Sequence, residues 1–250
     1  MGRFETTAST YERFREPYPA EFFAAIAKRL NLVGRERLID LGTGPGVIAL
    51  GLAPYVGSVF GVDPEPTMLA EARANAERRG IALSLFAGRT EDLPADHGRF
   101  DIISIGRALH WMDRAATLAV LERILAQDGV ILIIGSRSDT SGRNPWYETL
   151  ESMLRSWNPT AQRGWNHIYE PWFNETPFGA GDRITYAFEQ PVTPEDLFNR
   201  ALTRSSTSAA ILGERLDDCR AALHAALAPF FPEGVRSESL TATAWVIRRR

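Results

Sequence analysis

Hydrophobic residues in the first half of the chain form short continuous runs that alternate with stretches of helical spacing. Short apolar runs are typical of buried strands, whereas apolar residues three and four positions apart are typical of helices. The runs predict strands at residues 37–41, 56–62, 81–86, 100–105 and 129–134. The stretches between them predict helices at about residues 45–53, 65–79 and 114–126. Because strands that alternate with helices form βαβ units, the pattern predicts a doubly wound, parallel α/β sheet.

The pattern differs on either side of this region. Residues 20–31 have the spacing of a helix with one apolar face, whereas residues 137–182 are rich in Trp, Pro, Gly and Asn and lack a clear period. Further strands are predicted at 183–189 and 239–247, and further helices at about 194–203 and 212–228. We therefore expect the two late strands to complete the sheet after an inserted helical and aromatic cap.

Composition and charge narrow the class of protein. The chain has 44% hydrophobic and 24% charged residues, as in an ordinary globular protein, and its net charge of −3 argues against nucleic acid as a partner. Cys219 is the sole cysteine, which excludes an internal disulfide and a thiolate zinc cluster, and we expect no metal. The sequence shows no signal peptide and no long apolar run, so we expect a cytoplasmic protein without a membrane partner.

A glycine loop follows the first predicted strand in the sequence LIDLGTGPG. Gly42, Gly44 and Gly46 form G-x-G-x-G, but the dinucleotide fingerprint needs its third glycine at position 47, where the chain has Val47. The Gly-Lys-Ser/Thr ending of a Walker loop is also absent. The loop therefore permits close approach of a ligand without matching either phosphate-binding pattern.

Asp40 stands at the mouth of this loop, where a carboxylate would repel a pyrophosphate and attract an ammonium or sulfonium group. S-adenosylmethionine is positively charged, lacks phosphate and occupies this kind of crevice, so we predict it as the cofactor, with S-adenosylhomocysteine as its product. The next helix N-terminus would suit the carboxylate of its methionine end. The alternative interpretation is that Asp40 only caps the helix turn.

Acidic residues also follow the second and third predicted strands. Asp63 is in the position of a ligand for both ribose hydroxyls, although it also suits a cap for the helix that begins at Pro64. The later segment AGRTEDLP includes Glu91 and Asp92, and an acid there can accept a hydrogen bond from an adenine amino group. The alternative is a polar turn before Pro94.

Taken in order, these segments resemble class I S-adenosylmethionine-dependent methyltransferases, of the small-molecule group called type 11 or trans-aconitate-methyltransferase-like. The matching segments within residues 10–136 are LIDLGTGPG, VFGVDPEPTML, AGRTEDLP, FDIISIGRALHWMD and LERILAQDGVILII. The resemblance implies a Rossmann-like sheet of seven strands with the last strand antiparallel. The cofactor-binding residues expected are Tyr11, Arg15, Asp40, Gly42, Thr43, Gly44, Asp63, Pro64, Met68, Thr90, Glu91, Asp92 and Arg107.

The segment YERFREPYP resembles the family's N-terminal lid over the cofactor, with Tyr11 and Arg15 near the methionine end. The chain then divides into four predicted parts. They are N-terminal lid helices (1–30), the S-adenosylmethionine-binding core (31–136), an inserted cap that forms the substrate region (137–182), and C-terminal strands and helices that complete the sheet (183–250).

Methyl transfer is an in-line displacement, so much of its rate comes from holding the acceptor close and aligned. His110 follows the fourth strand and is the candidate catalytic base, unless it is a structural histidine packed against Trp111. The candidate substrate-binding residues are Tyr18, Trp111, Trp146, Trp165, Tyr169 and Trp172. These aromatic residues either line an acceptor pocket or only pack the core of the cap.

We expect a small, natural-product-like acceptor that is methylated on oxygen or carbon, while its identity and the oligomeric state, a homodimer included, stay open. An NAD-dependent reductase shares the sheet and the ribose acid, but Asp40 and Val47 argue against it. A methyltransferase fold that acts as a cyclase or a non-methylating binding module is the other alternative.

Overall fold

The computed structural model describes residues 14–159, 170–204 and 206–250. Its strands are β1 (Arg37–Leu41), β2 (Ser58–Asp63), β3 (Leu83–Ala87), β4 (Phe100–Gly106), β5 (Leu125–Ser138), β6 (Phe178–Val192) and β7 (Arg236–Arg249). Its α-helices are α1 (Ala20–Leu30), α2 (Val47–Leu52), α3 (Pro66–Arg78), α4 (Arg114–Ile124), α5 (Tyr147–Trp157), α6 (Pro194–Leu202), α7 (Ala209–Leu212) and α8 (Leu216–Leu227). No helix in these three described ranges has the length and apolar content needed to cross a membrane.

The seven strands form one sheet in the order β3–β2–β1–β4–β5–β7–β6. Strands β1 to β5 pair in parallel, and β7 lies antiparallel between β5 and β6. The predicted α/β class is confirmed, as is the antiparallel direction of the last strand. The strand order reverses between β1 and β4, and open α/β sheets bind their ligands at such a switch point.

Neighbouring residues of the central strands face two separate hydrophobic cores. Leu38 and Ile102 pack with α1 and α2, whereas Ile39 and Ile103 pack on the other face with α4. Parallel strands buried on both faces consist of nearly continuous apolar residues. This double burial is why the sequence pattern located each of these strands to within a few residues.

The layer of helices beside the sheet differs from the predicted cap. Helix α5 packs with α6, α7 and α8 around a third core, in which Trp146 and Phe198 are fully buried. A single amphipathic helix cannot bury its own apolar face, so α5 needs the C-terminal helices as partners. Trp172 instead packs in the core beside α4, and β6 begins at Phe178 rather than at residue 183.

The N-terminal part also differs from the predicted lid of residues 1–30. Phe22, Phe23 and Ile26 of α1 are buried in the core that α1 shares with α2, so this helix belongs to the main body. In the described part of the chain, the N-terminal residues that cover the ligand side of the sheet are 15–18.

Candidate active site

A cavity of about 280 Å³ lies at the carboxyl ends of β1, β2 and β4. These strands flank the switch point of the sheet. One wall of the cavity comes from the glycine loop after β1, and the opposite wall comes from residues 15–18 and the loop after β4. The predicted site residues that line it are Arg15, Tyr18, Asp40, Gly42, Thr43, Gly44, Asp63, Pro64, Met68, Arg107 and Trp111.

Asp40 lies in the cavity wall with both carboxylate oxygens engaged. Ser104 Oγ donates to Oδ1 at 2.6 Å, and Thr43 Oγ1 donates to Oδ2 at 2.8 Å. Burial raises the pKa of Asp40 to about 6, and the two hydroxyl hydrogen bonds only partly oppose this rise. These hydrogen bonds fix the position of the carboxylate, and no cationic side chain in the described part of the chain pairs with it.

Asp63 is fixed beside the glycine loop by backbone groups. Gly44 N–H donates to Oδ2 at 2.8 Å, and Glu65 N–H donates to Oδ1 at 2.9 Å. Burial raises the pKa of this carboxyl as well, against the effect of the two backbone hydrogen bonds. Because a carboxylate has about four acceptor positions, Asp63 can still accept hydrogen bonds from a ligand while it supports the start of α3.

The glycine loop approaches the loop after β4 very closely. Gly42 has φ +69°, and a Cβ atom built on it would lie 2.4 Å from Cβ of Ala108. A side chain at this position would therefore require both a left-handed backbone and a displacement of the neighbouring loop. Glycine at position 42 therefore keeps the two loops in contact. The floor of the cavity is formed by backbone atoms.

The opposite wall is built around the buried Glu16–Arg107 ion pair. Arg107 Nη2 lies 3.2 Å from Oε2 of Glu16 and donates to the backbone oxygen of the same residue at 2.8 Å. The Arg107 guanidinium also lies 5.0 Å from the ring centre of Tyr18, a cation–π distance. Burial would raise the pKa of Glu16, but the charges of Arg107, Arg15, Arg200 and Arg204 outweigh it and lower the pKa to about 2.

Behind this wall, α6 is tied to the N-terminal segment and to the sheet. Arg200 Nε donates to the backbone oxygen of Phe14 at 3.1 Å. Its two terminal nitrogens donate to the two carboxylate oxygens of the fully buried Glu238, at 2.6 and 2.8 Å. Arg204 Nη1 donates to Glu151 of α5 at 2.7 Å. The charges of Arg200 and Arg204 act on Glu16 from this side of the wall.

Comparison with known proteins agrees with this architecture. A family model described as a methyltransferase domain matches residues 39–133. An uncharacterized methyltransferase of Mycobacterium tuberculosis is 30% identical over 231 residues, which are 90% of this chain and 88% of the relative. The chain belongs to the methyltransferase family.

Solved structures of other proteins have the same fold as this chain. A candidate type II methyltransferase from Anaeromyxobacter dehalogenans is 20% identical, with a TM-score of 0.66. The match covers 94% of this chain and 98% of the other chain. A SAM-dependent methyltransferase from Thiobacillus denitrificans, solved in complex with S-adenosyl-L-homocysteine, is 17% identical with a TM-score of 0.55. That match covers 100% of this chain and 99% of the other.

The other predicted site residues that the structure describes do not line this cavity. Thr90, Glu91 and Asp92 form a single helical turn after β3. His110 does not line the cavity, but its ring centre is 4.7 Å from that of Trp111, which does. Tyr11, Trp165 and Tyr169 fall outside the described residues.

Glu91 makes a hydrogen bond and an ion pair within the protein that the sequence did not indicate. Its Oε1 accepts a hydrogen bond from the backbone N–H of Asp113 at 2.7 Å, and Arg89 lies 3.2 Å from the same oxygen. Both interactions lower the pKa of Glu91, against a rise from partial burial. Asp113 caps α4, so Glu91 links the turn after β3 to the loop that carries His110.

Sequence reasoning on this methyltransferase missed three residues that shape the site: Ser104, Glu16 and Arg200. Ser104 had a usable signal, because it is an isolated polar residue in the apolar strand FDIISI, and β4 pairs it with Asp40. Glu16 stood unassigned within the quoted segment YERFREPYP. Arg200 had no local signal, since its partners Phe14 and Glu238 are distant in the sequence.

Proposed function

We propose that the protein is an S-adenosylmethionine-dependent methyltransferase that transfers a methyl group to a small, natural-product-like molecule, on oxygen or carbon. The observation that carries this proposal is the pair of buried carboxylates, Asp40 and Asp63, which flank a glycine loop in one cavity. A site of this charge disfavours a phosphate-bearing cofactor and favours a cationic one.

The residues present fit S-adenosylmethionine. Asp63 is placed to accept hydrogen bonds from ribose hydroxyls, and Asp40 provides the negative charge for the ammonium or sulfonium centre. The backbone at Gly42 and Gly44 permits close contact, and Met68 gives the same wall an apolar surface. When bound, the cofactor supplies an electrophilic methyl group on sulfur.

Acceptor binding is assigned to the wall formed by Tyr18, Arg107 and Trp111. Trp111 is 46% exposed, which is unusual for so large an apolar side chain, and it stands at the cavity. These groups would exclude water and hold the acceptor in line with the methyl group. Trp146 and Trp172 are buried in two different cores, so their contribution to the site is to support it.

His110 is the proposed base for acceptors whose proton must be removed before or during transfer. Its position beside Trp111 also suits the alternative role of ordering the loop. Replacement of His110 by Ala separates the roles: loss of a base lowers turnover by about 10²–10⁴-fold with unchanged cofactor affinity. A loss of turnover that only follows the loss of thermal stability would assign the structural role.

Isothermal titration calorimetry with S-adenosylmethionine, S-adenosylhomocysteine and NAD⁺ tests the cofactor. We expect the first two ligands to bind and NAD⁺ not to bind, whereas binding of NAD⁺ alone would support the reductase.

Methyl-labelled S-adenosylmethionine incubated with a cell extract then tests the reaction. Label in a low-molecular-mass product, together with S-adenosylhomocysteine, distinguishes a methyltransferase from a cyclase or a non-methylating module.

A further inference from the structure

The N-terminal segment that forms one wall of the cavity is held at two of its backbone carbonyl groups. Arg107, in the loop after β4, donates to the backbone oxygen of Glu16 at 2.8 Å. Arg200, on α6, donates through Nε to the backbone oxygen of Phe14 at 3.1 Å. Bonds to backbone oxygens fix the path of the chain itself, and residues 15–18 of this path line the cavity.

The sequence of this segment limits the other ways in which it can be held. Pro17 and Pro19 lack a backbone N–H group, so the segment cannot form a regular ladder of hydrogen bonds with a neighbouring strand. The ring of Tyr18 packs against the core that α1 shares with α2. This contact anchors the end of the segment that leads into α1, whereas Arg200 binds the opposite end.

Arg200 reaches Phe14 in a fixed orientation. Its two terminal nitrogens donate to the two carboxylate oxygens of Glu238 at 2.6 and 2.8 Å, and the exposed fractions of the two side chains are 5% and 0%. A bidentate pair of this kind fixes the plane of the guanidinium group. The direction of the remaining N–H group, at Nε, is therefore fixed as well, and it points to the backbone oxygen of Phe14.

Glu238 is itself held by the neighbouring strands. Ser138 Oγ of β5 donates to its Oε1 at 2.6 Å, and Gln190 Nε2 of β6 donates to its Oε2 at 3.1 Å. Because Glu238 lies on β7, three strands of the sheet together fix its carboxylate. A continuous series of hydrogen bonds thus runs from the sheet through Arg200 to the wall of the cavity.

We propose that Arg200 is a positioning residue for methyl transfer, which fixes the wall at residues 15–18 through the backbone oxygen of Phe14. The proposal rests on the proposed function, because this wall lies across the cavity from the glycine loop with Asp40 and Asp63. A wall that is already in place removes the cost of ordering it when a ligand binds. The helical layer of α5 to α8 then contributes to the affinity of a cavity that none of its described residues lines.

Replacement of Arg200 by Lys separates this role from the ion pair. Lysine carries all its donors on one terminal nitrogen, so it can pair with Glu238 but lacks a donor at the position of Nε. We expect Arg200→Lys to bind S-adenosylhomocysteine about tenfold more weakly in calorimetry, because binding must then order the wall. Trypsin should cleave after Arg15 about fivefold faster in the unliganded variant, as measured by mass spectrometry of the fragment that begins at Glu16.

Phe198→Leu and Phe198→Ala are the matched controls. Phe198 is fully buried on the same helix as Arg200 but packs in the third core, so the two variants give a smaller and a larger loss of stability there. Both should keep the wild-type affinity for S-adenosylhomocysteine and the wild-type rate of cleavage after Arg15. Melting temperatures measured beside these values show how much stability each variant loses.

A double variant tests the proposal if Arg200→Lys does not fold. Arg200→Met combined with Glu238→Gln also lacks the Nε donor, but it removes both charges together and leaves neither buried without a partner. We expect the same loss of affinity and the same faster cleavage from it as from Arg200→Lys.

Unchanged affinity for S-adenosylhomocysteine, or unchanged cleavage after Arg15, in the folded Arg200 variant would overturn the proposal. Changes no larger than those of a Phe198 variant with the same loss of melting temperature would also overturn it, because Arg200 would then act only through stability. Failure of the wild-type protein to bind S-adenosylhomocysteine would instead count against the proposed function. The rate of cleavage after Arg15 then decides by itself whether Arg200 holds the wall.

Discussion

Asp40 and Glu16 are two buried carboxylates in the wall of one cavity, yet their pKa values move in opposite directions. Burial raises the pKa of Asp40 to about 6, because its hydrogen bonds come from neutral hydroxyl and backbone groups that oppose the rise only in part. Burial would do the same to Glu16, but four guanidinium charges lower its pKa to about 2. The same chemical group therefore marks a negative end and a positive end of the site.

This difference shows that burial alone does not determine what a carboxylate does in a binding site. At the negative end, a cation would relieve the cost of an ionised Asp40, which suits the ammonium or sulfonium group of the cofactor. At the positive end, the carboxylate is already stabilised by arginines, of which Arg15 and Arg107 line the cavity.

The largest expected effect is on the stability of the fold and concerns Arg200, at the positive end of the site. Arg200→Ala leaves Glu238 fully buried without its cationic partner, so we expect the free energy of unfolding to fall by about 3–5 kcal/mol. Urea unfolding followed by circular dichroism measures this value. Arg155→Ala, on the exposed face of α5, should change it by less than about 0.5 kcal/mol. A loss of under about 1 kcal/mol for Arg200→Ala would show that the cluster is not built into the fold.

The next largest effect is on cofactor affinity at the negative end of the site. Asp63→Ala removes the proposed acceptor for the ribose hydroxyls and should weaken S-adenosylhomocysteine binding by about 2–3 kcal/mol. Calorimetry measures the dissociation constant, and circular dichroism checks that the variant is folded, since Asp63 also holds Gly44 and Glu65. Asp128→Ala is the control, because Asp128 is exposed near the amino end of β5 and does not line the cavity. An unchanged dissociation constant in folded Asp63→Ala would exclude the ribose role.

The smallest effect on ligand binding tests the charge of Asp40 through pH. With a pKa of about 6, Asp40 is mostly protonated at pH 5 and ionised at pH 7, and a proton competes with a bound cation. S-adenosylmethionine should therefore bind about tenfold more weakly at pH 5 than at pH 7. Asp40→Asn should remove most of this dependence, and an affinity in the wild type that does not change with pH would contradict the assignment.

The stability of the unliganded protein should fall as pH rises, whereas the affinity for S-adenosylmethionine should rise. The folded-state pKa of Asp40 lies above its ordinary value of 3.8, so the folded protein holds this proton more strongly than the unfolded chain does. The contribution of Asp40 to stability therefore falls as pH rises from about 4 to 6. Asp40→Asn should be the more stable protein at pH 7, by up to about 3 kcal/mol.

The two ends also differ in how far the sequence predicts them. The negative end follows from local sequence, because each acid comes directly after a buried strand and parallel strands bring their carboxyl ends to one edge. The positive end joins Glu16, Arg107 and Arg200, which lie far apart along the chain, so no local pattern indicates it. A helical cap is predicted, but the bounds of α5 are not, because the surrounding Pro, Gly and Asn obscure the helical spacing of Trp146, Leu150 and Leu154.

A crystal structure of the protein with S-adenosylhomocysteine tests the opposite character of the two ends most directly. We predict that the ligand's ribose hydroxyls contact Asp63, that its ammonium group lies on the Asp40 side of the cavity, and that Glu16 remains paired with Arg107. A ligand bound with its ribose beside Arg107, or one bound outside the cavity, would contradict the account.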